Sequence, residues 1–455
     1  MMIVSWTIVF LLGLGIINSA AREIKLLEKL GFAMPIGLGI ATLILFGFDL
    51  VGLPMNSSSL LIGTLAGLAL GTHALALPYY RNWFSGWKNR EKFSIKQLWP
   101  INFGWLVLMG CIAAVVYTVV LKTVFWPVFI HDSVNGYDFL ARVIQSEGTF
   151  NNSIFDPNYP LYSPRTVYPP LTPLSFSISY MFGHDSAKII TAIFYVSNTL
   201  VFYSMLKRYS SHLAAALFSL IFIVTPEFAA FSALSSPNPM CTFYSAMGIL
   251  SLYVWYRENL NSYFVVGWLS IILALWTRTE SVVFFAAGGL LVLLKSIETK
   301  QFVKLTVYSV TGIGIFFFWR YYLDNTLMVD NPDNIIKHLY WDGEKLDRMM
   351  AKVKAVTFNM QFYGILVYLF LGMLAINAYF HIRYREGLAL LAVIILPWLA
   401  YMFIYYQLDT PYTNDGSVWI ESGYKRGLFY FFPLALFYCA NNRVANMVFN
   451  KWLKL

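Results

Sequence analysis

The stretch I-N-F-G-W-L-V-L-M-G-C-I-A-A-V-V-Y-T-V-V-L-K-T-V-F-W, residues 101–126, contains a single charged residue, Lys122. About 20 consecutive apolar residues cross the roughly 30 Å hydrocarbon core of a bilayer as a helix. A backbone embedded in lipid must satisfy its own N–H and C=O groups, which helices do within one segment. The stretch therefore predicts a membrane-spanning helix, and no strand-like alternation of polar and apolar residues competes with it.

The whole chain shows the same character. Of its 455 residues, 58% are hydrophobic and 12% are charged, and the mean hydropathy is +0.61. A soluble domain is about a quarter charged, so we predict an all-α, polytopic transmembrane helix bundle with about 13 spans. The predicted spans are 2–21, 31–50, 58–79, 101–126, 187–206, 213–231, 240–256, 262–277, 280–296, 305–323, 361–380, 387–406 and 427–440.

The net charge of +9 is unevenly distributed along the chain. More than half of the lysines and arginines fall on alternate, short connections, and by the positive-inside rule these connections face the cytoplasm. The charge is thus interpreted as a topology signal and a contact for anionic membrane lipids, and no nucleic-acid partner is predicted. The residues are Arg22, Lys25, Lys29, Arg81, Lys88, Arg90, Lys92, Lys96, Lys207, Arg208, Arg257, Lys295, Lys300, Lys304, Arg383, Arg385, Arg443, Lys451 and Lys454.

We predict three successive parts of the chain, although no linker or low-complexity tract separates them. Residues 1–100 form an additional N-terminal bundle of three spans with a basic cytoplasmic loop. Residues 101–323 form a core whose outer loop is 127–186. Residues 324–455 hold the C-terminal spans, with outer loops at 324–360 and 407–426, and we find no internal repeat of the kind common in secondary transporters.

Glycines are spaced for close helix packing in the N-terminal bundle. Gly63, Gly67 and Gly71 form a G-xxx-G-xxx-G stripe, the small-residue pattern that lets membrane helices approach closely. The G-L-G fragments at Gly13 and Gly37 lie inside predicted spans and are not interpreted as phosphate loops.

Two outer loops contain amphipathic patterns. In residues 137–147, Phe139, Leu140, Val143 and Ile144 recur at helical spacing, which predicts a short helix in the plane of the membrane interface. Residues 342–358 repeat the pattern with a basic face. That helix either contacts a lipid head group or forms a solvated lid. The two faces predicted for it are Leu346, Met350, Val353 and Val356 against Lys345, Arg348, Lys352 and Lys354.

Asp132 follows the 101–126 span by a few residues and stands beside His131. A carboxylate at a water–lipid boundary is partly desolvated, which raises its pKa and lets it accept a proton. The alternative is a helix cap, since Asp132 and Ser133 both suit an N-cap before the 137–147 helix. The adjacent His-Asp pair is a poor metal signature, and the three cysteines show no metal or disulfide spacing.

A longer pattern surrounds this residue. It consists of a span, D-x-x-x-x-Y-x-x-x-A-R from Asp132 to Arg142, V-Y-P-P-L at 167–171, and F-G at 182–183 before the next span. The pattern resembles the C-type glycosyltransferases, most closely the branch with lipid A aminoarabinose transferases and protein O-mannosyltransferases. Softer similarity extends over 230–295 and 420–435. One departure is Asn238, which is neutral where many relatives carry a second acidic residue.

The resemblance implies a sugar transfer from a polyprenyl-phosphate carrier (undecaprenyl or dolichyl) to a glycan, lipid or protein acceptor on the non-cytoplasmic face. Asp132 is then the catalytic base. Cations are needed for the donor phosphate, although an ion pair with Glu280 and snorkelling at a helix end are alternatives for some of them. The candidates for the phosphate are Arg278, Lys425, Arg426, Arg165 and Arg320. The candidates for substrate contacts are His131, Tyr137, Asp138, Tyr168 and Glu280.

Two other classes of function stay open at this point. One is a transporter or flippase of a lipid-linked sugar, and the other is a glycan ligase or polymerase with a diphosphate-linked donor. No cofactor or metal site is predicted, and a role for a divalent cation stays open. The expected location is a cell membrane, most simply the bacterial inner membrane, with the site facing the periplasm or the exterior.

Overall fold

The structure is a computed structural model that describes residues 2–69, 103–129, 133–156, 158, 168–329, 341–407 and 420–452. Within these residues the fold is all-helical, without a strand, as predicted. The helices are α1 (Met2–Ala20), α2 (Leu26–Leu50), α3 (Ser57–Ala69), α4 (Phe103–Phe125), α5 (Asp138–Glu147), α6 (Leu171–Met181), α7 (Ile189–Tyr209), α8 (His212–Ile223), α9 (Pro226–Ser232), α10 (Asn238–Thr242), α11 (Gly248–Glu258), α12 (Asn261–Thr277), α13 (Val282–Thr299), α14 (Val303–Tyr322), α15 (Gly343–Thr357), α16 (Met360–Tyr363), α17 (Leu366–Tyr384), α18 (Leu388–Gln407) and α19 (Phe432–Ala440).

Fewer helices than predicted meet the requirements of a membrane span. In the part of the chain that the structure describes, six helices are long and apolar enough, or seven if α8 and α9, bent by 69°, form one span. The predicted count of about 13 is therefore not confirmed. Several predicted spans fold instead as short apolar helices, such as Asn261–Leu275. Others change helix type within their length, as where the π-helical turn Phe243–Met247 joins α10 to α11.

Close approach of backbones joins α1 to α2. A Cβ on Gly13 would lie 1.8 Å from the carbonyl oxygen of Ala33, and one on Gly37 would lie 2.0 Å from that of Val9. Only glycine allows this crossing, because any side chain would overlap the facing backbone. Gly63, the first glycine of the G-xxx-G-xxx-G stripe, packs on Ile44 and Phe48 of α2. This contact agrees with the packing role predicted for the stripe, whose last glycine, Gly71, lies outside the described residues.

Two ends of the bundle can be distinguished by their contacts. At one end, which we call the Arg278 end, Asn238 and Tyr430 hydrogen-bond with Arg278. At the Arg443 end, the Arg443 guanidinium pairs with Glu386 at 3.1 Å. The helical run from Asn238 to Glu258 connects the two ends, and at about 1.5 Å per residue it spans roughly 30 Å.

A buried charged network holds the Arg443 end together. The Glu28 side chain of α2 is fully buried and accepts hydrogen bonds from Ser204 of α7 (3.1 Å) and from Tyr263 of α12. Arg208 of α7 donates to the Tyr263 hydroxyl and pairs with Glu258 of α11. The network therefore ties four helices together and gives the buried Glu28 carboxylate the hydrogen bonds that it requires.

Both predicted amphipathic helices form, but protein contacts cover their apolar faces. Leu140 and Ile144 of α5 are buried, and α5 packs on α6. In α15 the buried stripe is rotated from the predicted one, because Lys345 is buried while Met350 is exposed. The Lys345 ammonium donates to the Tyr406 carbonyl oxygen at 2.6 Å and lies over the Tyr406 ring, so its burial leaves no unsatisfied charge.

Candidate functional site

The turn between α12 and α13 carries a nearly buried ion pair. Arg278 ends α12, and its Nη2 and Nε lie 2.6 and 3.1 Å from the two carboxylate oxygens of Glu280. The side chains are 11% and 13% exposed. Two parallel N–H···O bonds fix the guanidinium plane as well as its charge, so this pair is a rigid platform.

Three segments distant in sequence meet at this platform. Arg278 Nη1 lies 3.3 Å from Oδ1 of Asn238, which begins α10, and 3.5 Å from the Tyr430 hydroxyl ahead of α19. The Tyr430 hydroxyl also donates to Asn238 Oδ1 at 2.6 Å. The neutral Asn238 thus accepts two hydrogen bonds, and these contacts do not require a carboxylate at this position.

The predicted outer loop joins the same cluster. Arg278 lies over the ring of Tyr168, 4.9 Å from its centroid, and the Tyr168 and Tyr137 rings are 6.0 Å apart. At the start of the loop the buried Ser133 hydroxyl donates to the Ser235 carbonyl oxygen. Ser133 is therefore not a helix cap: α5 begins without a side-chain cap, and this hydroxyl attaches the loop to the α9–α10 connection.

The local electrostatics keep Arg278 charged. Burial alone lowers the pKa of its guanidinium, but the charge of Glu280 and the neighbouring tyrosine oxygens outweigh burial, so the pKa lies well above its usual value. Glu280 is the largest of these opposing influences. Arg278 is thus a permanent cation whose charge is already balanced, which agrees with the structural ion pair considered as an alternative.

Asp138 lies in a separate cluster of the same loop. Its carboxylate pairs with Arg142 one helical turn later at 3.1 Å and accepts a hydrogen bond from the Tyr180 hydroxyl of α6. Burial, and then the hydrogen bond to Asp138, raise the pKa of that hydroxyl. These contacts hold α5 against α6, so Asp138 has a structural role in this packing.

The remaining predicted cations have partners of their own. Lys425 pairs with Glu227 of α9 at 3.1 Å and lies over the Phe362 ring. Arg426 donates to the Ser422 carbonyl oxygen at 2.9 Å. Arg320 pairs with Asp324 at 3.0 Å. Asp132, His131 and Arg165 lie outside the described residues.

An apolar cavity of about 500 Å³ lies at the Arg278 end, between α15, α17, α18 and the start of α19. Its wall includes Trp398, Phe431 and Phe432, and the exposed Lys354 of α15 adds a cation. Phe431 directly follows Tyr430, which contacts Arg278. The cavity and the polar cluster therefore share one helical turn. Its shape and lining suit a flexible hydrocarbon chain.

Sequence analysis did not identify two charged residues that the structure shows to be paired or buried, Glu227 and Lys188. Glu227 was missed because its partner Lys425 is distant along the chain. Lys188, just before α7, is 1% exposed, and its ammonium has no hydrogen-bond partner within the residues described. Its position after a polar loop gave no signal of burial.

Within the described ranges, no group of three His, Cys, Asp or Glu side chains is arranged to hold a metal ion.

Comparison with known proteins does not assign the chain to a family. No protein family, no curated protein and no solved structure matches it.

Proposed function

We propose that the protein is an integral membrane glycosyltransferase that moves a sugar from a polyprenyl-phosphate donor to a glycan, lipid or protein acceptor. The proposed site is the Arg278 end, facing the non-cytoplasmic side of the membrane. The proposal retains the predicted multi-span topology with alternate basic connections. Apolar helices able to cross a bilayer support the membrane part of this proposal.

One observation carries the proposal: the first outer loop meets three later segments beside a cavity fit for a lipid chain. Ser133, next to Asp132 in the chain, bonds to Ser235, and Tyr168 lies against Arg278. Leu428 and Phe431, on either side of Tyr430 in the chain, line the apolar cavity. A transferase with a lipid-linked donor needs this combination of an apolar chain site and an adjacent polar site.

The chemistry of the proposed reaction is a single displacement at the anomeric carbon. Asp132 takes the proton of the acceptor hydroxyl as the new glycosidic bond forms, and the bond to the phosphate oxygen breaks to release polyprenyl phosphate. Cations stabilise the leaving phosphate, and Lys354 and Lys425 are those that we assign to it. Arg278 acts instead as a positioning residue that orients Tyr168 for contact with the sugar.

The first prediction concerns Asp132. We expect Asp132→Asn to abolish transfer, by at least about 100-fold, because general-base catalysis contributes roughly 10²–10⁴-fold. The measurement is mass spectrometry of glycans and glycolipids from a deletion strain, the strain rescued with the native gene, and the strain rescued with the variant at equal expression. One sugar residue should disappear on deletion, return with the native gene and stay absent with the variant.

Asp156→Asn is the matched control, because Asp156 is an exposed carboxylate in the same loop. It should rescue fully. Full rescue by Asp132→Asn would exclude the base assignment. Transport of labelled lipid-linked sugar without any new glycosidic bond would instead favour a transporter.

A further inference from the structure

A second cavity lies at the Arg443 end, away from every residue proposed for sugar transfer. Its volume is about 650 Å³, and it lies where α11, α17, α18 and α19 end or begin. Its lining includes Arg257, His381, Asn441, Arg443 and Asn446. A polar cavity of this size at a helix-bundle end holds a ligand head group of several heavy atoms.

The charges that line this cavity favour an anion. Arg257 donates to the Tyr253 hydroxyl at 3.2 Å, and within the described part of the chain it forms no ion pair. Arg443 pairs with Glu386, yet both side chains are 46% exposed. The Arg443 guanidinium also lies over the rings of Phe380 and Tyr384, which orients its fork. Two guanidinium groups against one carboxylate leave an excess positive charge, and guanidinium forks match phosphate oxygens.

Several other polar groups of the cavity are already satisfied. His381 Nδ1 donates to the Glu386 carbonyl oxygen at 2.7 Å, and its Nε2 accepts from the Tyr438 hydroxyl. The Asn442 side chain bonds to backbone groups on both sides. The Asn441 amide donates to the Phe437 carbonyl oxygen at 2.9 Å, and its own Oδ1 is fully buried with no hydrogen-bond partner among the described residues. Arg257 and Arg443 are therefore the groups of the cavity available to bind a phosphate.

The neighbouring surface suits acyl chains. Along α17, which borders the cavity through Phe380 and His381, the side chains of Ile376, Tyr379 and Ile382 are 58%, 62% and 84% exposed. Exposed large apolar residues beside a polar site are typical of a lipid-facing surface. A ligand with both a phosphate head and hydrocarbon chains matches this combination better than a free anion does.

We infer that this cavity binds the head group of an anionic glycerophospholipid whose phosphate contacts Arg257 and Arg443. The lipid bridges α11 to the segment after α19. It belongs to the leaflet at the Arg443 end, opposite to the proposed transfer site, and the inference does not depend on that transfer.

The test is native mass spectrometry of the full chain in detergent, titrated with phosphatidylglycerol, with phosphatidylcholine or with inorganic phosphate. We expect phosphatidylglycerol to bind the native protein and both Arg257→Gln and Arg443→Gln to bind it about tenfold more weakly, since each loses a charge-assisted contact. Arg383→Gln is the control. Arg383 is exposed at the same end but does not line the cavity, and its loss should leave binding unchanged.

Asn446→Asp provides a nearly isosteric variant in case the arginine variants fail to fold. It puts a carboxylate into the lining and should weaken phosphatidylglycerol binding to a similar extent. Equal affinity of Asn446→Asp and native protein for phosphatidylglycerol would overturn the inference. So would equal binding of phosphatidylcholine, or competition by inorganic phosphate at millimolar concentration.

Discussion

Arg278 shows how one side chain can organise several distant segments. Its guanidinium hydrogen-bonds with Glu280, Asn238 and Tyr430, and its face lies on Tyr168. Only a planar group with five donors can make these contacts together. The Arg278 side chain therefore links four segments of the candidate site. Removal of the Glu280 carboxylate is expected to destabilise the fold.

We expect Glu280→Gln to lower the free energy of unfolding by about 3 kcal/mol, because it leaves a nearly buried guanidinium without its counter-charge. Thermal or denaturant unfolding in detergent measures this change. Glu344→Gln is the control, since Glu344 also pairs with an arginine, Arg348, and these two side chains are 91% and 51% exposed. Its cost should stay below about 1 kcal/mol. Equal losses for the two variants would show that burial of the Arg278 pair contributes nothing.

At the scale of elements, the α1–α2 pair depends on glycine rather than on hydrophobicity. Both helices are predominantly apolar, so hydrophobicity alone does not select one contact face. The facing Gly13 and Gly37 bring the backbones together, and van der Waals contact between backbones drives helix association in lipid.

We expect Gly37→Ala to destabilise the protein by about 1–3 kcal/mol, the usual cost of overpacking, because the new Cβ would lie 2.0 Å from the Val9 carbonyl oxygen. Gly47→Ala on the same helix meets no atom of the described residues within 4 Å. It should be neutral or slightly stabilising, since alanine favours helix by about 1 kcal/mol. The melting temperatures of the two purified variants compare them directly, and a stable Gly37→Ala protein would contradict the crossing.

For the whole molecule, the contacts separate an end with the Arg278 cluster and the apolar cavity from an end with the charged network of Glu28 and the polar cavity. A bilayer between them would place the two cavities in different aqueous compartments. The positive-inside rule predicts that the Arg443 end faces the cytoplasm.

Cysteine labelling tests this orientation. In a Cys111→Ala background, in which the remaining Cys241 and Cys439 are buried, we expect Glu344→Cys on α15 to react with a membrane-impermeant maleimide in intact cells. Glu344 is 91% exposed. Arg383→Cys at the opposite end should react only after permeabilisation. The reverse pattern would invert the topology and exclude an extracytoplasmic transfer site.

The amino-acid sequence was sufficient to predict the helical class, the membrane character and the positions of most helices. These follow from local properties: the length of apolar runs and the lack of strand-like alternation. The loop at 127–186 could also be singled out, because its composition breaks the apolar pattern. Local composition did not predict that α15 would turn Lys345 inward, since that depends on the Tyr406 carbonyl oxygen of a different helix.

The polar residues that contact one another could be identified only from the folded chain. It brought Arg278, Glu280, Tyr137 and Tyr168 together and gave Asp138, Lys425 and Arg320 other partners. It also revealed Glu227 as the counter-charge of Lys425 and assembled the two cavities. The physical reason is that an ion pair or a cavity depends on distances between side chains remote in sequence, whereas a span depends only on its own residues and the lipid around it.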